Sequence, residues 1–205
     1  GRFFPDTYRY VRGMSDEDLL KQANARLESV LAEEWQKRAE GLPYREPYDA
    51  LIMASMIEKE TGVPEERGEI AGVFVRRLRM GMRLQTDPTV IYGMGERYNG
   101  RITRADLRTP TPYNTYTIDG MPPTPIANPG RLSIEAALNP EQTDYLFFVA
   151  DGTGGHAFAT TLQEHNRNVA RWREIERRRA GADAADAPPR PGDAELLRIN
   201  QTTSI

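Results

Sequence analysis

The stretch Ala54-Ser-Met-Ile-Glu-Lys-Glu-Thr-Gly62 places two carboxylates, Glu58 and Glu60, at the end of an apolar segment. Two residues apart on a helix, they point about 200° away from each other and cannot act as a pair. Their neighbours differ. Glu60 follows Met53, Met56 and Ile57 at one- and two-turn spacing, an apolar stripe, whereas Glu58 follows Leu51, Ala54 and Ser55, a smaller and more polar row. A carboxylic acid held against apolar side chains loses the hydration of its charged form. Its pKa rises, and it stays protonated near neutral pH as a general acid must. A Glu on a helix is ordinarily solvated, so spacing alone makes Glu60 a candidate and no more.

Two further clusters carry polar groups suited to a ligand. In Arg83-Leu-Gln-Thr-Asp-Pro-Thr-Val-Ile-Tyr92, Asp87-Pro88 reads as a helix N-cap and first turn. Gln85 and Thr86, just before it, offer an amide and a hydroxyl. Thr111-Pro-Tyr-Asn-Thr-Tyr-Thr117 sets Tyr113 and Tyr116 around Asn114. Rings beside amides suit a sugar cleft, with stacking for the apolar ring face and hydrogen bonds for hydroxyl and acetamido groups. The same Tyr/Thr alternation also describes a β-strand, and both readings stand at this point. His156 and His165 have no metal-ligand spacing with each other. Gly152-Thr-Gly-Gly155 precedes no helix with a Lys, which argues against a phosphate-binding loop. Arg171, Arg173, Arg177, Arg178 and Arg179 complement a helix C-terminus.

The elements that must position these residues are mostly helices. Ser15 and Asp18 form a capping box, and Leu20, Ala23, Leu27, Val30, Leu31 and Trp35 continue an amphipathic helix to about Glu40, stopped by Gly41-Leu42-Pro43. A second helix runs from Tyr48 to Thr61 before Gly62. A third starts at Pro64-Glu-Glu66, buries Ile70, Val73, Phe74 and Leu78, and ends with Arg76, Arg77 and Arg79 before Gly81. Between Leu84 and Pro129 the pattern predicts loops, with short helical turns only after Asp87-Pro88 and after Thr103. A stretch of that length without regular structure inside a compact domain is expected to be functional. Ser133 is predicted to cap a short helix reaching Asn139-Pro140. Tyr145–Ala150 and His156–Thr160 read as a hairpin around Asp151-Gly152, and Gln163–Arg179 as a last helix carrying Val169, Trp172 and Ile175 on one face. Gly181–Glu195, almost wholly Ala, Asp, Pro and Gly, predicts a disordered tail, leaving 1–180 as one domain and 181–205 as tail. The fold class expected is α+β, helices packed with a small antiparallel sheet.

Composition removes whole classes of chemistry. The chain has 205 residues with 27 Lys+Arg against 30 Asp+Glu, a net charge of −3, which argues against gripping nucleic acid by bulk charge. Zero Cys excludes disulfides and thiolate metal sites, and two His make a zinc cluster improbable. No run approaches the ~20 apolar residues that span a bilayer. The chain opens on Gly1-Arg-Phe-Phe-Pro-Asp without a signal-peptide pattern, which reads as the interior of a longer protein.

Together these clusters resemble a known family. Ala54-Ser-Met-Ile-Glu-Lys-Glu-Thr, Val73-Phe-Val-Arg-Arg-Leu-Arg-Met-Gly-Met-Arg-Leu-Gln-Thr-Asp-Pro-Thr-Val-Ile-Tyr-Gly-Met-Gly95, Thr111-Pro-Tyr-Asn-Thr-Tyr-Thr-Ile, Gly120-Met-Pro-Pro, Ile126-Ala-Asn-Pro-Gly130, Tyr145-Leu-Phe-Phe-Val-Ala-Asp-Gly and Gly154-Gly-His-Ala-Phe are similar to the MltG (YceG-like) endolytic murein transglycosylases. The resemblance runs from about Phe3 to Arg179. It implies an envelope enzyme that cuts the β-1,4 bond between N-acetylmuramic acid and N-acetylglucosamine in nascent peptidoglycan without water, leaving a 1,6-anhydromuramyl end. It also implies a membrane helix and a LysM-like part preceding this segment in the full protein, action at the periplasmic face of the inner membrane, and penicillin-binding proteins as partners. No metal or organic cofactor is implied. The catalytic Glu of the family's Glu-Lys-Glu-Thr motif maps to Glu60, since Glu60-Thr61-Gly62 resembles the Glu-Ser step ending the catalytic helix of other lytic transglycosylases. Gln85, Thr86, Tyr92, Asn114, Tyr116 and His156 stand in matching motifs as sugar-binding candidates. Two other readings are a lysozyme-type hydrolase, with Glu58, Asp87 or another carboxylate as base or nucleophile, and a glycan-binding or scaffold module without turnover.

Overall fold

The computed structural model describes residues 1–186. Its elements in chain order are α1 (Asp16–Gln36), α2 (Pro47–Glu60), a 3-10 turn (Pro64–Glu66), α3 (Arg67–Arg79), α4 (Asp87–Met94), two 3-10 turns (Gly95–Arg97 and Asp106–Arg108), α5 (Arg131–Leu138), β1 (Phe147–Ala150), β2 (His156–Ala159) and α6 (Leu162–Asp186). The class is α+β as expected, with the sheet reduced to one hairpin.

Local chemistry explains the boundaries. At α1 the Asp18 amide donates to Ser15 Oγ while the Ser15 amide donates to the Asp18 carboxylate, so both halves of the capping box close. Ala23, Leu27, Val30 and Leu31 face the core, but Leu20, from the same predicted stripe, is exposed, and the helix stops at Gln36, short of Glu40. Pro47 fills the first turn of α2, where its missing N–H costs nothing.

Helix α2 is the centre of the molecule. Every residue from Asp49 to Ile57 is buried, as a helix apolar all round must be. It packs most extensively on α5 and also touches α1, α3 and α4. Full burial of each of Leu51, Ile57 and Met53 contributes about 1.5–3 kcal/mol. The expected contrast between an apolar Glu60 stripe and a polar Glu58 row is therefore absent from the body of the helix. It arises only at its end.

Helix α5 differs from its predicted start. Gly130 is its N-cap, and Ser133 lies one turn inside, fully buried. The Ser133 hydroxyl is spent on a tertiary contact: it donates to Glu58 Oε2 at 2.6 Å and accepts from Arg67 Nε at 3.2 Å. In the Leu84–Pro129 region, helix after Asp87-Pro88 is longer than a turn, forming α4, while the turn after Thr103 is held by Thr103 and Asp106 bonding each other.

Strands β1 and β2 pair antiparallel from Phe147 opposite Ala159 to Ala150 opposite His156. Phe148 and Phe158 face the core and α6 lies along the hairpin. Helix α6 starts with Thr161 and Glu164 capping each other's amides and continues to Asp186, beyond the composition break at Gly181. The rest of the expected tail, 187–205, lies outside the described residues.

Candidate active site

A cleft of about 470 Å³ opens where the end of α2, the start of α4, the hairpin and α6 meet. Glu60, the last residue of α2, lines it. Glu60 Oε2 accepts a 2.7 Å hydrogen bond from Thr86 Oγ1. Burial pushes the Glu60 carboxyl up to about 7, and the nearby Asp87 charge adds to the rise, against the Thr86 hydroxyl and His156, which pull it down. Near neutral pH this group is poised both to give and to accept a proton.

Glu58 is occupied elsewhere. Its Oε2 accepts from the Gly130 amide at 3.0 Å and from Ser133 Oγ at 2.6 Å, so the carboxylate caps the N-terminus of α5. The two acids are separated by their partners, one satisfied by a helix end and the other facing a cleft.

Thr86 is the N-cap of α4, a place the sequence assigned to Asp87, yet its hydroxyl makes no cap bond because it is turned to Glu60. Asp87 is the first helical residue and accepts from the Tyr116 hydroxyl at 2.6 Å. Burial first, and then that bond to Asp87, push the Tyr116 hydroxyl far up, so it remains a donor. Gln85 is the one non-glycine residue with positive φ among those described, at 54°. This left-handed backbone costs on the order of 1–3 kcal/mol and is imposed by Thr115, whose carbonyl accepts from the Gln85 amide and whose hydroxyl accepts from the Thr86 amide. The kink exposes the Gln85 side chain at the cleft while burying Thr86.

His156 lines the opposite wall at the start of β2. Glu66 holds it twice, with Oε1 accepting from the His156 amide and Oε2 lying 2.8 Å from Nδ1, which leaves Nε2 as the ring nitrogen for a ligand. A Cβ on Gly155 would come within 2.4 Å of the Glu66 carboxylate, so this approach needs a glycine. Glu66 was not foreseen as functional, because Pro64-Glu-Glu66 reads as an ordinary acidic helix start.

Three candidates do not line the cleft: Thr86, 1% exposed with its hydroxyl on Glu60, and Asn114 and Tyr92. Asn114 is fully buried, its amide donating to the carbonyls of Asp106, Leu107 and Thr109 and its Oδ1 accepting from the Tyr116 amide. It shapes the loop that delivers Tyr116 and has nothing left for a sugar. Tyr92, on α4, is half exposed away from the cleft lining, with its ring 4.7 Å from that of Tyr113. Tyr113 in turn bonds Thr124 through its hydroxyl. Residues 113–117 form turns rather than a strand, so the Tyr/Thr alternation was neither a strand nor a continuous binding surface. Arg77, His165 and Trp172, read from sequence as helix-end charge, lone histidine and core ring, all line the cleft. Among the described residues, no group of three or more His, Asp and Glu side chains is placed to hold a metal ion.

Residues 1–171 match the YceG-like family. The chain belongs to that family. A relative from Bacillus subtilis (strain 168), named endolytic murein transglycosylase, is 41% identical over 172 residues, covering 82% of this chain and 46% of its own. One of the same name from Streptococcus pneumoniae (strain D39) is 33% identical over 176 residues, covering 83% of this chain and 31% of its own. This YceG-like chain therefore spans less than half the length of these curated relatives. The crystal structure of a yceG-like protein, lmo1499 from Listeria monocytogenes, superposes with a TM-score of 0.70 at 40% identity, covering 82% of this chain and 54% of that one. The YceG-like match ends inside α6, so all the cleft residues named above lie within it or, for Trp172, at its edge.

Proposed function

We propose that this chain is the catalytic part, residues 1–180, of an endolytic murein transglycosylase, and that Glu60 is its acid and then its base. The observation that carries the reading is the Glu60 carboxyl, raised to about 7 and facing a cleft walled by amide, hydroxyl and ring groups. Protonated Glu60 gives its proton to the glycosidic oxygen as the bond from C1 of N-acetylmuramic acid breaks. The carboxylate then takes the proton of the C6 hydroxyl as that oxygen closes on C1. One proton leaves and one returns, the product is a 1,6-anhydromuramyl end, and no second carboxylate is needed.

The cleft supplies supports for this cycle. Thr86 steadies the carboxylate form of Glu60, the Gln85 amide and the His156 Nε2 face sugar hydroxyls, and the Tyr116 oxygen, whose proton goes to Asp87, offers lone pairs to the sugar and to the oxocarbenium-like state. Asp87, bonded by Tyr116, is a charge beside the reacting centre and the residue a hydrolytic route would use as base. The substrate is peptidoglycan, met in the cell wall. Tethering by an anchor outside this segment, and partnership with penicillin-binding proteins, complete the proposal; among the described residues no helix is long and apolar enough to cross a membrane.

Mass spectrometry of digested glycan strands, wild type beside Glu60→Gln, tests it. A product lighter by one water than the hydrolytic one, lost in Glu60→Gln, is the expected result. A reducing-end product makes the protein a hydrolase, and full turnover by Glu60→Gln removes Glu60 from the mechanism.

A further inference from the structure

The part of the cleft around Phe147 carries an arginine without an acid. Arg77 is 7% exposed. Its Nε donates to the Leu146 carbonyl at 2.7 Å, and Nη1 to the carbonyls of Leu84 at 2.8 Å and Arg83 at 3.2 Å. Its guanidinium lies 5.2 Å from the centroid of the Phe147 ring. Among the described residues no carboxylate forms a salt bridge with it, and Nη2 has no hydrogen-bond partner. His165 stacks on the same ring, with centroids 5.2 Å apart, and its Nδ1 is buried without a partner. Both side chains line the cleft that Glu60 lines.

Carbonyls account for two of the three guanidinium nitrogens, a stitch that ties α3 to the Gln85 kink and to the lead-in of β1. They do not neutralise the charge. A buried cation with carbonyl oxygens, the Gln85 amide oxygen at 3.5 Å and the Phe147 ring around it but no counter-charge is costly, and an anion brought by a ligand recovers much of that cost. Burial accordingly holds the Arg77 guanidinium below its ordinary range, and burial together with the Arg77 charge holds His165 below its own. Nothing in the fold uses Nη2 or His165 Nδ1.

We propose that Arg77, with His165 beside it, forms a subsite that takes a carboxylate carried by the glycan. The inference rests on the reading of the Glu60 cleft as a peptidoglycan site. Such strands carry carboxylates through the lactyl ether of muramic acid, either the lactyl group itself where the peptide has been removed or the acids of the attached peptide. A neutral glycan offers neither. The subsite thus selects acid-bearing strands by a charge-assisted hydrogen bond in a poorly hydrated corner.

The test uses four strand preparations, peptide-bearing and amidase-stripped, each with its carboxylates free or capped as methylamides. Binding is measured by calorimetry on Glu60→Gln, which keeps the cleft shape, and turnover on the wild type. Capping is expected to weaken binding by about five-fold or more in at least one pair, as loss of a charge-assisted bond demands, and the affected pair identifies the source of the carboxylate. Arg77→Gln in the Glu60→Gln background is expected to abolish that difference. Where melting shows that Arg77→Gln does not fold, His165→Phe, which keeps the ring stack, is expected to reduce it by about two-fold or more. A smaller capping effect in both pairs, or a difference that survives the variant intact, overturns the subsite. Cleavage of capped and free strands alike sinks the subsite and leaves the transglycosylase reading standing. A capping effect on binding with no wild-type cleavage of any strand does the reverse.

Discussion

At the end of α2 the Glu58 junction and the Glu60 cleft can be compared almost atom for atom. Both hold a glutamate, both offer it a hydroxyl at 2.6 or 2.7 Å, and both face the start of another helix. At Glu58 the helix turns its N-cap amide to the side chain, which also takes the Ser133 hydroxyl. At Glu60 the helix offers only its N-cap hydroxyl, the acidic side chain of Asp87 stands nearby, and the other side is open to the cleft. The same residue type becomes a helix cap in one place and a titrating acid in the other. Partner count and solvation make that difference, because neither acid is distinguished by the helix that carries it.

The largest expected effect of breaking this contrast is on catalysis. Glu60→Gln should lower turnover of glycan strands about 10³-fold, the range for losing a general acid, while the far-ultraviolet spectrum is unchanged. The next is thermodynamic. A carboxyl raised from 4.5 to about 7 on folding binds more protons in the native state between those values, so stability falls as pH rises through that window. The loss is about 3 kcal/mol by pH 8, and Glu60→Gln should remove it. Denaturant midpoints at pH 4.5 and pH 8 measure this, and equal slopes with pH in both proteins would contradict the Glu60 assignment. Glu58→Gln is expected to behave in the opposite sense. It should cost about 2 kcal/mol of stability through the α5 cap and leave turnover of the folded protein nearly unchanged. Thermal melting beside an activity assay separates the two outcomes. The smallest effect belongs to Thr86→Val. Removing a hydroxyl that favours the carboxylate raises the Glu60 pKa further, so the basic limb of the pH–rate profile should move up by at most about one unit. A downward move would show that Thr86 does not act on the carboxylate.

Much of this was legible before the structure. The capping box at Ser15, the hairpin and the Glu-Lys-Glu-Thr motif are local signals, and local signals survive folding. What could not be read was the fate of polar side chains whose partners lie far away in sequence. Asn114 looked like a ligand for sugar because nothing local shows that three carbonyls consume its amide. Ser133 looked like a cap because Glu58, its true partner, is 75 residues away. Glu66 and Arg77 looked like charges placed for helix dipoles, since their targets, His156 and the Leu84 and Leu146 carbonyls, meet them only in three dimensions. Helix α6 passed the composition break because an Ala- and Asp-rich stretch is still compatible with helix once a helix has started.

The bond between Glu60 and Thr86 joins the last residue of one helix to the N-cap of the next, so the Glu60 carboxyl stands between two opposed backbone fields. The carbonyl pole of α2 resists a negative charge there, and the amide pole of α4 welcomes it. The acidity of Glu60 is therefore a function of how far apart two helix ends are held. That spacing is set where α2 packs against α4. Repacking that seam would retune the acidity of Glu60 while leaving every residue that lines the cleft in place.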